Sequence, residues 1–255
     1  MAIIGGTISP HINDSLTAYG AAVYSSNGLF CVELFSESQR SLWLWNPAIR
    51  KVQQVPKSLN NYEGESFSVG FGFSSIINDY KMVKLFTSDF LVAQVEVYAL
   101  GTGLWTKVEP GNLKGVRVSH PSAFNCNGAI FWVGMKEGVE EDRKIVSFDI
   151  AMELFTLISF PPMTSASQSC FHSPTMSQNK LALLSPTVIE NSDSYLIDLW
   201  VLEECTDPCR ERWNWTKMYT SRPNPFTFSI IPQIIWRNEI VCSVFRVEYP
   251  FGGEP

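Results

Sequence analysis

An all-β propeller is the fold class that this 255-residue sequence predicts, and three observations predict it. Helical periodicity is nearly absent. Short runs of period-two alternation, rich in Val, Ile, Phe, Tyr and Trp and bounded by Gly, Pro, Asn and Asp, fill the chain instead. An aromatic residue at a strand end recurs about every fifty residues, and a turn asparagine recurs with the same interval at its own place in the period.

The first marker sits in "SLWLWNPAIRKVQQVP" (41–56), a strand ending at Trp45, a turn through Asn46 and Pro47, and a second strand from Val52 to Pro56. It returns in "VEVYALGTGLWTKVEP" (95–110), "IVSFDIAMELFTLISFP" (145–161) and "LIDLWVLEECTDPCRERWNWTKMY" (196–219). The strand-end aromatics Trp45, Tyr98, Phe148 and Trp200 lie 53, 50 and 52 residues apart. In three copies the next strand begins seven residues later, at Val52, Trp105 and Phe155, and closes on Pro56, Pro110 and Pro161. In the fourth, "EECTDPCRE" lengthens the turn and delays Trp213 and Trp215.

The second marker precedes apolar strands at Asn27, Asn78, Asn127, Asn179 and Asn238, at intervals of 51, 49, 52 and 59. The last interval is long by about the length of the fourth-copy insertion. Asn-Gly and Asn-Asp supply the positive φ that tight hairpins need. A unit of ~50 residues with four antiparallel strands is a kelch-sized propeller blade. Blades are expected at 18–56, 66–110, 119–161 and 170–219, with a half blade at 228–247. The strand-like "AIIGGTIS" in segment 1–17 is a candidate to return and pair with the last strands, and 248–255 is a tail. The Trp-Leu-Trp strand is then the third of its blade, its aromatics packing as core against neighbouring blades rather than serving as a ligand platform.

Composition agrees with a buried core: 45% hydrophobic, 13% aromatic and 17% charged. The net charge of −6 and the scattered basic residues exclude a nucleic-acid surface. No apolar run approaches the ~18–20 residues that span a bilayer, and the start lacks the features of a secretion signal. A soluble protein of the cytoplasm or nucleus, with no membrane partner, is expected. Its six cysteines are expected as free thiols, and the sequons at Asn13 and Asn214 are discounted.

Six blocks in order, "NGLFCVE", "LWLWNPAIRK", "GFGFSSIINDYKMVKL", "VEVYALGTGLWTKV", "FNCNGAIFWVG" and "IVSFDIAMELFTLISFP", make residues 23–245 resemble the plant F-box-associated domain. The resemblance implies a kelch-like propeller that binds a protein to be ubiquitinated. An F-box earlier in the same chain would dock a Skp1-type adaptor of a cullin-RING (SCF) ubiquitin ligase. Residues 1–22 are too few for the three helices of an F-box, and the chain stops in mid-blade at "VEYPFGGEP". Target binding therefore carries over, and adaptor docking only in a longer form.

Chemistry finds little support. There is no His-Glu-x-x-His, Gly-x-Ser-x-Gly or P-loop motif, and Gly70 and Gly72 in "GFGFSS" lie within an alternating strand with no following helix. The three histidines, at 11, 120 and 172, have no ligand spacing. The run Glu140, Glu141, Asp142 reads as a solvated loop, and Asp149 as the cap of its own turn. No catalytic residue, metal or cofactor is expected, and the protein is read as a binding module rather than an enzyme. A carbohydrate-binding or glycan-processing propeller, and an interaction scaffold unconnected with ubiquitin, are the alternatives.

Strand order divides the loops between two ends. The asparagine turns and the turns after the aromatic share one end and are short. The loops between second and third strands and the blade connections share the other, where they are longer and varied: 57–66, 111–120, 135–143, 162–172, 186–194 and 221–226. A rigid scaffold with varied loops at one end is a recognition surface. Tyr62, Glu63, Arg117, His120, Glu141, Arg143, His172 and Arg222 are its candidate partner-binding residues.

Overall fold

The computed structural model describes residues 20–35, 40–59, 66–118, 123–137, 142–162, 172–189, 194–204, 213–225, 228–236 and 239–246. The fold is an all-β propeller of antiparallel four-stranded blades, and among the described residues the only helical turn is a 3₁₀ segment at Gly111–Leu113. The chain divides into two compact units, 2–159 and 160–255.

In the first unit, β1 (Gly20–Ser26), β2 (Leu29–Phe35), β3 (Arg40–Asn46) and β4 (Lys51–Gln54) pair in chain order. So do β5 (Ser66–Ser74), β6 (Asp79–Ser88), β7 (Leu91–Ala99) and β8 (Leu104–Val108). The third set is β9 (Val116–Val118), β10 (Phe124–Cys126), β11 (Ala129–Lys136), β12 (Asp142–Asp149) and β13 (Leu154–Ser159). Here β9 pairs with residues 134–136 of β11 and β10 with residues 129–131, so the two follow one another along the same partner strand. The stretch 111–120, expected as a loop, is therefore partly strand. A single pair, Leu91 with Arg117, joins β9 to β7.

Both markers have a direct structural meaning. Trp45 pairs with Val52, Tyr98 with Trp105 and Phe148 with Phe155, directly across their hairpins. The seven-residue spacing is thus the length of a turn that brings two side chains to one rung, where Tyr98–Trp105 and Phe148–Phe155 rings meet at 5.3 and 4.8 Å. The asparagines turn with φ of 43°, 49°, 49° and 60° at Asn27, Asn78, Asn127 and Asn179, while Asn238 lies outside the described residues.

The second blade is buried on both faces. Met82, Phe86 and Tyr98 pack with Cys31, Leu42 and Leu44 of the first blade, whereas Val83, Leu85, Val95 and Val97 pack with Ile130, Trp132, Val146 and Phe148 of the third. Alternation sorts these two sets by strand parity. It also corrects the expectation for the Trp-Leu-Trp strand. Leu42 and Leu44 face the core, so Trp43 and Trp45 fall on the other face and stay half-buried, with Trp45 against Phe30 at 5.2 Å. Gly70 and Gly72 have a packing role. A Cβ on Gly70 would overlap the Trp132 ring and come within 2.6 Å of Ile130, and one on Gly72 within 2.7 Å of Ile150.

In the second unit, β14 (Ser173–Ser177), β15 (Lys180–Val188), β16 (Ser194–Glu204) and β17 (Trp213–Thr220) pair in chain order, and the two-residue β18 (Asn224–Pro225) adds to β16. A hairpin of β19 (Phe228–Trp236) and β20 (Glu239–Arg246) follows, with β14 beside β19. The buried Asp198 ties three strands together by accepting from Thr187 Oγ1 at 2.7 Å, Lys217 Nζ at 2.8 Å and Thr220 Oγ1 at 2.6 Å. Burial disfavours its charge, but these donors more than offset that and hold its carboxyl below the usual range. Trp200 is half-buried, with the Lys217 ammonium 4.8 Å from its ring. Segments 1–17 and 248–255 lie outside the described residues. Cys31, Cys126 and Cys242 are free thiols.

A candidate partner-binding face

The hairpin between β6 and β7 closes through two residues, Asp89 and Phe90, with φ of 51° and 68°. Two successive left-handed residues make the turn whose twist suits a hairpin, and such turns favour Asn-Gly because a side chain at positive φ is strained. Phe90 is the opposite choice. Its ring is 73% exposed, so burial returns little of that strain to the fold.

Arg117 comes to this ring from β9, its guanidinium 5.6 Å from the centroid. Cross-strand register then extends the site. Arg117 pairs with Met135, and Met135 pairs with Arg143, so two cations flank one thioether on a single rung and a single sheet face. Arg117 also meets Glu137 at 3.8 Å, but both side chains are more than half exposed, which leaves the ion pair weak and exchangeable. An aromatic tip, a flexible methionine and guanidinium donors are the side chains that dominate protein interfaces.

Of the candidate residues, Arg117 and Arg143 are thus brought together. His172 and Arg222 belong to the second unit: the half-buried His172 ring stands edge-on to Phe160 at 5.5 Å, and Arg222 is exposed in the connection between β17 and β18. Tyr62, Glu63, His120 and Glu141 lie outside the described residues. Sequence reasoning passed over Phe90, Met135 and Glu137. The available signal was "SDFL", a bulky aromatic between alternating strands.

The other concentration of charge is sealed between the first two blades. Glu33 accepts from the Arg40 guanidinium and from the Tyr24 hydroxyl, and Arg40 donates to the Phe67 carbonyl at 2.9 Å while lying 3.7 Å over its ring. Lys84 donates to Ser58 Oγ at 3.2 Å and sits 4.7 Å from the Phe67 ring and 4.9 Å from that of Trp105. Glu96 accepts from the Leu59 amide at 3.0 Å. Burial raises the Glu33 carboxyl and lowers the Lys84 amine to about 8. With Glu33 at 1% and Glu96 at 0% exposure, these carboxylates present nothing to a substrate and serve to hold blades together. Asp149 caps its own turn, accepting from the Ala151 and Met152 amides at 2.8 Å. Among the described residues no cluster of His, Cys, Asp and Glu could hold a metal ion.

Comparison with known proteins matches residues 9–251 to the family model of the F-box associated beta propeller domain. A putative F-box protein of Arabidopsis thaliana is 28% identical over 213 residues, covering 80% of this chain and 54% of the relative. An F-box/kelch-repeat protein of the same plant is 24% identical over 250 residues, covering 92% of this chain and 65% of the relative. The chain therefore spans between half and two thirds of the length of these relatives. Among solved structures, the β-propeller domain of the Trilobed protease from Pyrococcus furiosus aligns with a TM-score of 0.46 and 13% identity, over 84% of this chain and 60% of that one.

Proposed function

The chain belongs to the F-box associated β-propeller family, and from that premise we propose that it is the target-binding part of a receptor for an SCF-type ubiquitin ligase. It acts by binding alone and performs no catalysis of its own. The observation that carries this reading is the family match across 9–251 together with relatives that are themselves F-box proteins. A Skp1-type adaptor is engaged only where an F-box precedes the propeller in a longer form. The target docks at the long-loop end, where Phe90 supplies the anchor and Arg117 and Arg143 supply cationic donors on either side of Met135.

The test joins this chain to the F-box of an Arabidopsis relative and follows protein abundance in plant cells. Target proteins are expected to fall in abundance, to recover when the proteasome is blocked, and to be spared by the Arg117→Glu/Arg143→Glu variant. An unchanged proteome with a well-folded, adaptor-bound fusion overturns the ligase reading.

A further inference from the structure

Tyr98 and Phe148 each face the blade before their own. Tyr98 is 3% exposed among side chains of the first blade, and Phe148 0% exposed among those of the second. In both cases the chain that leads into the blade completes the packing. Trp105, the rung partner of Tyr98, donates its indole N–H to the Pro56 carbonyl at 2.9 Å and shares an apolar cluster with Val55. Phe155, the rung partner of Phe148, packs on the cluster that holds Leu113, whose 3₁₀ turn lies against β13. Val55 stands 23 residues before the turn asparagine Asn78, and Leu113 stands 14 before Asn127.

The first blade has the same face without that cover. Phe30, Trp45 and Val52 share one rung, and Val23, Val32 and Trp43 share the next on the same side of the sheet. Val23 is 60% exposed, the other five are half-buried, and none belongs to the apolar clusters that join the first three blades. No charged side chain falls on this face of the four strands, since Glu33, Arg40 and Lys51 take the opposite parity. The same 23 and 14 positions before Asn27 bound residues 4–13, "IGGTISPHIN", which lie outside the described residues. That stretch holds Ile4, Ile8 and Ile12 and no Asp, Glu, Lys or Arg, and its Pro10 follows a strand-like run as Pro56, Pro110 and Pro161 do.

We infer that residues 4–13 of this same chain dock on the open face of the first blade, covering Trp45 and Val52 as Val55 and Pro56 cover Trp105 and as Leu113 covers Phe155. Both sides of the contact are apolar and uncharged, and the segment is within reach. Residue 13 is seven positions from the start of β1 at Gly20; seven extended residues span about 24 Å, against about 14 Å from β1 across to β4. The docked segment keeps an apolar sheet face from associating with other chains. The face is separate from the site at Phe90, so its failure leaves the proposed function standing. The test places a benzoyl-phenylalanine photo-cross-linker at position 23 of the full chain in dilute solution and maps the adducts by peptide mass. The expected adduct lies within one chain and joins position 23 to residues 4–13. Ile4→Asp/Ile8→Asp/Ile12→Asp should reduce it by roughly tenfold or more, because a charge at an apolar contact removes most of what holds the segment. The same variant should lower the midpoint of thermal unfolding. An adduct of twice the chain mass, which puts a second copy on the face, overturns the inference. So does an adduct to another part of the chain, no adduct at all, an adduct that survives the three substitutions, or an unchanged midpoint.

Discussion

Trp105→Ala tests whether the repeat register is the real frame of the fold. Trp105 is 7% exposed, lies 5.3 Å from the Tyr98 ring and 4.9 Å from the Lys84 ammonium, and donates its indole N–H to the Pro56 carbonyl at 2.9 Å. Truncation removes a buried ring from the packing of the first two blades, for which about 3–5 kcal/mol is the usual cost. The freed Pro56 carbonyl adds little, because Pro56 is exposed and water can replace the donor. Trp105→Phe keeps most of the ring and loses the donor, so it should cost about 1–2 kcal/mol. A domain of ordinary stability holds about 5–15 kcal/mol, so the alanine variant should lower the urea midpoint plainly. Far-ultraviolet circular dichroism is the readout, since fluorescence would lose one of its own reporters. A loss below about 1 kcal/mol for Trp105→Ala would place the residue on the surface and refute the register.

Gly70→Ala should destabilise by about 1–3 kcal/mol in the same assay, because its new methyl has no room against the buried Trp132 ring; an unchanged or higher midpoint would contradict the packing described. Lys84 sets a pH dependence. In the unfolded chain its amine stays protonated to about 10.5, whereas the folded one releases its proton near 8. The folded state therefore gains stability as pH rises through that window, by up to about 3 kcal/mol. Cys31 and Tyr24, whose ionisation burial opposes, act in the reverse sense above their ordinary values, so the comparison is wild type against Lys84→Met at matched pH. A difference between the two that stays flat from neutral to alkaline pH would refute the Lys84 assignment. Phe90→Gly should raise stability by about 1 kcal/mol, since glycine suits the left-handed turn position, while weakening target capture; a destabilised Phe90→Gly protein would mean the ring supports the fold.

Much of the frame was legible because repetition leaves two records in register. Seven residues from Tyr98 to Trp105 is a statement about hairpin length, and it holds wherever the turn is short. It breaks at Trp200, where the insertion lengthens the turn, a bulge interrupts the ladder at Leu199 and Trp200, and the partner becomes Lys217. Which face a side chain takes was less legible. "LWLW" alternates two bulky apolar types, so hydrophobicity alone does not say that Leu42 and Leu44, rather than the tryptophans, meet the second blade. Strand β9 was missed because three residues carry almost no periodicity; tertiary pairing with β11 makes it a strand. At the candidate site, Arg117 and Arg143 are 26 positions apart in sequence, and only the register through Met135 sets them on one rung. Phe90 was passed over, because neither the two-residue length of its turn nor its positive φ could be read without the structure.

The central claim is that the long-loop end of the propeller holds a protein target through Phe90. The most direct measurement places a benzoyl-phenylalanine photo-cross-linker at position 90 of the full chain, with a second protein carrying it at exposed Ile76, and identifies the adducts formed in plant-cell extract with the proteasome blocked. The account predicts a defined protein cross-linked from position 90, absent from position 76, and lost when Arg117→Glu/Arg143→Glu is introduced. Adducts that are the same from both positions, or that persist unchanged in the arginine variant, would contradict it.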